Sequence, residues 1–264
     1  MKLESASIQM EIVRGDAPLL VTFPHTGTTI PDNFLAGMVS RELALLDTDW
    51  YIHDLYDFVH ELGATTIRTP YSRSVIDVNR DPSGLSLYPG QATTGLVPVE
   101  TFEGAPLYRS TPPTPAEIER RRSAYFDPFH LAIRDEIARL KAAHGRVVLY
   151  DCHSIRSIIP RLFPGELPVF NIGTNGGMSC ESRLQNAVAT ACLSSGLSVV
   201  LNGRFKGGWI TRNYGAPSTG VQAIQMELAQ RFYMDEIGVE RLPAEEWNRA
   251  QRLLKSVLEA CLFL

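Results

Sequence analysis

The sequence predicts an α/β protein with one mostly parallel central sheet and helices on both of its faces. Three observations lead there. Short apolar runs alternate along the chain with amphipathic helical stretches, the pattern that builds parallel strands joined by helical crossovers. The 264 residues, 44% of them hydrophobic and 20% charged, suit one domain spanning 1–264 with a full core. Several apolar runs also end on histidine or arginine, where parallel sheets place their ligand crevice.

The elements follow in order. Pro18–Phe23 (PLLVTF) reads as a buried strand that ends at Pro24, His25, Thr26 and Gly27. From Thr48 to Leu62, Trp50, Leu55, Val59 and Leu62 fall at helical spacings; Asp47, Thr48 and Asp49 stand where caps belong, and Gly63 stops the run. Ala64–Thr69 and Ser74–Val78 read as two more strands, the second leading into Asn79 and Arg80. Residues 81–114 lose periodicity to proline, glycine and threonine, and a loop of that length predicts a lid or a substrate wall. Thr114–Ala143 then predicts one long helix closed by Gly145. Val147–Tyr150, Pro168–Ile172, Leu197–Leu201 and Ala223–Leu228 are further strands, with helices at Cys180–Ser194 and Pro243–Leu262.

Composition excludes several functions. A net charge of −4 without a basic run argues against nucleic acid. No stretch of about 18 apolar residues is present to span a membrane. The polar start, MKLESASIQMEIVRGD, and four scattered cysteines without a CxxC pair predict a cytoplasmic protein with reduced thiols.

The chemistry concentrates at strand ends. His25 and His153 sit at the ends of different strands, and neutral imidazole is the commonest metal ligand; either alone would be read as a structural histidine. Asp151, two residues before His153, is placed to orient its ring. A hydrolytic zinc site takes three protein ligands and keeps one open position. Asp49, Asp47 and His53 compete for the third place, the aspartates also being natural N-caps. Glu227 lies in an apolar strand pattern (QAIQMELAQ), where a carboxylate is rare unless it is paired or employed; the alternative makes it the start of a helix. Arg73, Asn79 and Arg80 suit a substrate carboxylate, against ion pairs with Asp77 or Asp81. The glycine-rich stretch 203–215, with Arg204, Lys206 and Arg212, reads as a flexible wall facing an anion. Cys152 beside His153 suggests a thiol hydrolase, but adjacent strand residues point to opposite faces.

VTFPHTGTTIP, LLDTDWYIHDLY, YSRSVIDVNRDP, YDCHSI and GGWITRNYG followed by VQAIQMELAQRFYM occur in this order over residues 18–234. As a set they resemble the N-formylglutamate amidohydrolases, relatives of the zinc carboxypeptidases and aspartoacylases. The resemblance implies a phosphorylase/hydrolase-like fold. It also implies hydrolysis of N-formyl-L-glutamate, a small-molecule substrate, to formate and L-glutamate in histidine degradation. It further implies one divalent metal, with zinc the default, held by His25, His153 and Asp49. Carboxypeptidase-like sites place a glutamate three residues after the first histidine; here that position is Thr28, and the resemblance puts Asp49 in its stead, with Asp47 next. By the same resemblance Glu227 is the general base, Arg73 polarises the scissile carbonyl and Asn79-Arg80 hold a carboxylate. Independently of it, Arg212 is the candidate for the second carboxylate. The rivals are a related N-acyl amino acid amidase and a non-catalytic dicarboxylate-binding module.

Overall fold

A computed structural model describes residues 10–87 and 90–262. Within it the apolar runs become β1 (Glu11–Val13), β2 (Leu19–Phe23), β3 (Thr65–Arg68), β4 (Val147–Ile155), β5 (Phe170–Gly173), β6 (Val199–Leu201) and β7 (Val221–Ala229). They form one sheet in the order β1-β3-β2-β4-β7-β5-β6. β3, β2, β4 and β7 run parallel, β5 and β6 are parallel to each other but antiparallel to β7, and β1 is an antiparallel edge.

Three helices, α1 (Asp32–Leu35), α2 (Arg41–Ala44) and α3 (Ile52–Leu55), are single turns before β3. The longer ones are α4 (Pro115–Arg121), α5 (Asp127–His144), α6 (Ser182–Leu193), α7 (Trp209–Tyr214) and α8 (Ala244–Leu262). Strand periodicity sorts the core into two layers. Leu19, Val21, Val148, Tyr150, Ile224 and Met226 pack with α6 and α8 on one face. Leu20, Val147, Leu149, Val221 and Ala223 pack with α5 and α7 on the other. The sheet is therefore covered on both sides. Among the described residues no helix is long and apolar enough to cross a membrane.

Several elements differ from expectation. Ser74–Val78 is not a strand, although Val75, Ile76 and Val78 are buried. Its backbone groups bond instead to a loop and to side chains: Asp77 N–H to the Leu96 carbonyl, Arg121 Nη1 to the Val75 carbonyl and His130 Nε2 to the Val78 carbonyl. The helix expected over Thr48–Leu62 is reduced to α3 and a 3-10 turn at Asp57–His60. Tyr51 starts it in the left-handed region (φ 59°), unusual for a bulky residue, and no side chain caps it.

The helix expected over Thr114–Ala143 is continuous but passes through a π segment, Arg122–Phe126, between α4 and α5. Pro128 has no N–H and its ring crowds the carbonyl four residues back, so the ladder widens there. Finally, β4 and β7 run beyond Val147–Tyr150 and Ala223–Leu228, so the reactive groups of β4 lie inside the strand. β1 has three exposed residues and no alternation that a sequence pattern would reveal. The first nine residues of the polar start lie outside the described chain.

Candidate active site

The same periodicity that layers the core builds the site. On β4, Val147, Leu149, Asp151 and His153 share one face; on β7, Val221, Ala223, Gln225 and Glu227 share it too. The register sets Asp151 beside Gln225 and His153 beside Glu227. Each strand is thus apolar where helices cover it and polar at its carboxyl end, where a cleft of about 650 Å³ opens.

Three buried side chains meet on the cleft floor. His153 Nδ1 lies 3.1 Å from His25 Nδ1 and 3.2 Å from Asp49 Oδ2, and His25 Nδ1 lies 3.7 Å from that same oxygen. Each imidazole is held from behind by another carboxylate. His25 Nε2 is 2.6 Å from Asp77 Oδ1, and His153 Nε2 is 2.8 Å from Asp151 Oδ2. With a cation bound, donation of both Nε2–H groups to these carboxylates would leave both Nδ1 lone pairs for the ion, beside Asp49. Ligands on a tetrahedral zinc stand about 3.3 Å apart, so the set fits a divalent cation. Among the described residues this is the group of three donors that can hold a metal ion.

The supports are as buried as the three donors. Asp151 Oδ1 accepts from Thr22 Oγ1 at 2.6 Å, and Asp77 Oδ2 accepts from Arg73 Nη2 at 2.7 Å. Asp49 Oδ2 accepts the Ser154 N–H at 3.1 Å, which draws the aspartate to β4. Burial opposes its ionisation, but bonds from the two histidines hold its pKa below the usual carboxylate range. Burial likewise opposes charge on His153, and the Asp151 carboxylate outweighs it, raising that imidazole well above its ordinary value.

The two other competitors for the third place are engaged elsewhere. Asp47 accepts the Phe102 N–H (2.7 Å) and pairs with Arg156 (3.1 Å). His53 lies half-buried on α3, with Nε2 3.5 Å from Asp54 Oδ1. Neither aspartate caps the helix.

Glu227 lines the cleft, 7% exposed, with Oε2 accepting from Gln225 Nε2 at 3.1 Å. Burial pushes its pKa up to about 7 against the lowering pull of His153 and Arg73. Arg73 also lines the cleft; its Nη1 has only long contacts, 3.5 Å to Asp49 Oδ1 and to the Asp47 carbonyl.

Asn79 and Arg80 line the cleft as well, but the Asn79 amide is largely committed. Its Nδ2 is 3.1 Å from Asp151 Oδ2, and its Oδ1 accepts the Ile210 N–H of α7 at 2.7 Å. Gly208 must be glycine at this contact, because a Cβ there would come within 2.4 Å of Asn79 Nδ2. Arg80 donates from Nε and Nη2 to Thr94 (3.0 and 3.1 Å), drawing the 81–114 loop onto the cleft.

Arg212 sits on α7, outside the residues that line the cleft, and donates to the Gly207 carbonyl at 2.8 Å. Arg161 and Arg204 do line it. Sequence reading named Arg204 only as part of an anion-facing wall and passed over Arg161, which lies in a proline- and glycine-flanked stretch without a motif. Asp77 was also undervalued. Its position between two arginines suggested an ion pair, which it makes, but it also holds His25. Cys152 faces the opposite layer, fully buried, and burial raises its thiol pKa well above the ordinary value.

Fold and site together define an α/β protein whose acid–base groups and arginines converge at the carboxyl end of a parallel sheet. The chain belongs to the N-formylglutamate amidohydrolase family, whose family model matches residues 17–234. It is 47% identical over 251 residues to an N-formylglutamate deformylase of Pseudomonas aeruginosa, and 44% identical over 251 residues to one of Pseudomonas putida, covering 94% of each chain in both cases. The crystal structure of an N-formylglutamate amidohydrolase from Ralstonia eutropha JMP134 superposes with a TM-score of 0.81 at 27% identity, covering 96% of this chain and 97% of that one.

Proposed function

We propose that this protein hydrolyses N-formyl-L-glutamate to formate and L-glutamate at the His25–Asp49–His153 centre. The observation that carries this is the donor set itself. Two imidazoles pinned through Nε2 turn Nδ1 towards one carboxylate, beside a buried glutamate, on the floor of an arginine-lined cleft. A divalent cation held there, zinc by the chemistry of two imidazoles and a carboxylate, supplies acidification of water and polarisation of a carbonyl.

The chain's own residues do the rest. Glu227 takes a proton from the attacking water at a carboxylate oxygen and returns it to the departing amide nitrogen. A pKa near 7 suits both halves of that task. Arg73 Nη1, held only by long contacts, donates to the oxygen that gains charge as the formyl carbon is attacked. Arg80 meets the α-carboxylate with its guanidinium, while Asn79 fixes Asp151 and the start of α7. Residues 92–94 and Phe102 of the long loop wall the cleft and limit water. Four buried cysteines, all free thiols, fit a cytoplasmic setting.

The test is formate release from N-formyl-L-glutamate before and after chelation. Turnover is expected to vanish with a chelator and to return with stoichiometric zinc. Full activity in the chelator, or equal turnover of the acetyl derivative, would overturn the reading.

A further inference from the structure

The cleft is lined by more arginines than one substrate carboxylate requires. Among the described residues Arg73, Arg80, Arg161 and Arg204 line it, Arg73 and Arg80 facing Asp77 and Arg161 pairing with Glu100. Their exposure orders them from floor to mouth: the side chains of Arg73, Arg80 and Arg161 are 7%, 18% and 36% exposed. Arg80 stands close to the centre, since Asp77 lies 3.6 Å from its Nη2 and 2.6 Å from His25.

Arg161 and Arg204 are each oriented by backbone carbonyls of the cleft loops. Arg204 donates from Nε to the Leu162 carbonyl and from Nη2 to the Ala92 carbonyl, both at 2.8 Å, and lies over the Phe205 ring. Arg161 donates to the Thr101 carbonyl at 3.1 Å, pairs with Glu100, and rests against Gly104. Gly104 has φ +93° and presents no side chain, which lets the guanidinium approach the loop. Because Arg204 binds the carbonyl of the residue next to Arg161, the two arginines belong to one patch. Leu162, Phe205 and Ile155 line the same cleft and supply apolar surface to it.

We infer that Arg204, supported by Arg161, binds the side-chain carboxylate of the substrate and thereby sets specificity for an acidic amino acid. This assignment rests on the deformylase reading above. In an N-formyl amino acid the α-carboxylate is attached beside the reacting nitrogen, within reach of Arg80. The side-chain carboxylate of a glutamyl group lies two methylenes further out. Those methylenes cross the apolar surface and deliver the charge to the second patch. Arginine pairs with a carboxylate at two points, and a neutral amide of the same shape satisfies only part of that geometry.

The test compares N-formyl-L-glutamate with its neutral isostere N-formyl-L-glutamine. The wild-type chain is expected to prefer the glutamate derivative in kcat/KM by about 100-fold or more. Arg204→Gln and Arg161→Gln are each expected to shrink that preference by about 10-fold or more. Equal turnover of the two compounds by wild type overturns the assignment, and so does an equal loss on both in folded variants, which marks loop anchoring alone. Should Arg204→Gln fail to fold, the more exposed Arg161→Gln carries the comparison.

Calorimetric binding of L-glutamate and L-glutamine separates this from the catalytic reading. A chain that releases no formate, yet prefers L-glutamate in an Arg204-dependent way, keeps the assignment and loses the activity. Equal affinity for the two amino acids removes the assignment.

Discussion

The two faces of β4 and β7 make the most instructive comparison in the molecule. On one face Tyr150, Cys152, Ile224 and Met226 meet α6 and α8 in an unbroken apolar layer. On the other, Leu149 and Ala223 give way within two residues to Asp151, His153, Gln225 and Glu227. The backbone is the same and so is the register; only the covering differs. Where a helix lies on the strand, burial favours methyl groups. Where α7 and the long loop leave a cleft, the strand can carry charged groups, provided each has a partner. Stability and chemistry are thus divided between alternate residues of one strand.

That division can be broken from either side, and the largest effect is expected on the polar face. Glu227→Gln keeps the shape of the side chain but cannot take a proton, and kcat should fall by about 10²–10⁴-fold. Metal content and melting temperature should stay near wild type, read by elemental analysis and calorimetry. Met226→Ala, one residue earlier and fully buried, should do the reverse. It should cost about 2–5 kcal/mol of unfolding free energy in a urea titration while kcat of the folded protein holds.

A third test uses pH. Burial holds the His130 imidazole down to about 4 from its ordinary 6.5. The unfolded chain therefore binds this proton first as pH falls. The stability linked to a neutral His130 is complete above pH 6.5 and declines towards pH 4, by about 3 kcal/mol in all. Urea midpoints measured between pH 7.5 and 4.5 should show this slope, flattened in His130→Gln. The smallest effect sharpens the comparison within the site. Asp151→Asn leaves the ligands in place but weakens the hold on His153 Nε2, and metal affinity should drop about 10- to 100-fold in chelator competition.

The sequence was most readable where pattern and chemistry coincide. Short apolar runs placed β2, β4 and β7, and their reactive ends pointed to His25, His153 and Glu227. Asp49 was harder to single out, because an aspartate before a helical run looks the same whether it caps or turns inward. What distinguishes it is the left-handed Tyr51 and the Ser154 N–H on a strand about a hundred residues away, neither visible locally. Ser74–Val78 misled for the opposite reason. Its burial is that of a strand, but its backbone partners are distant side chains. Arg161 carries no motif to mark it, because cleft walls are set by how loops fold over one another, which no local spacing encodes.

That side-chain-held segment has a consequence for how the protein could evolve. Asp77 and Asn79, which brace the two imidazoles, stand on a stretch whose carbonyls are gripped by Arg121 of α4 and His130 of α5. Positions on helices outside the cleft are therefore adjustment points for the centre. Selection for a different acyl group would act through substitutions at 121 and 130 as readily as through residues that touch the substrate.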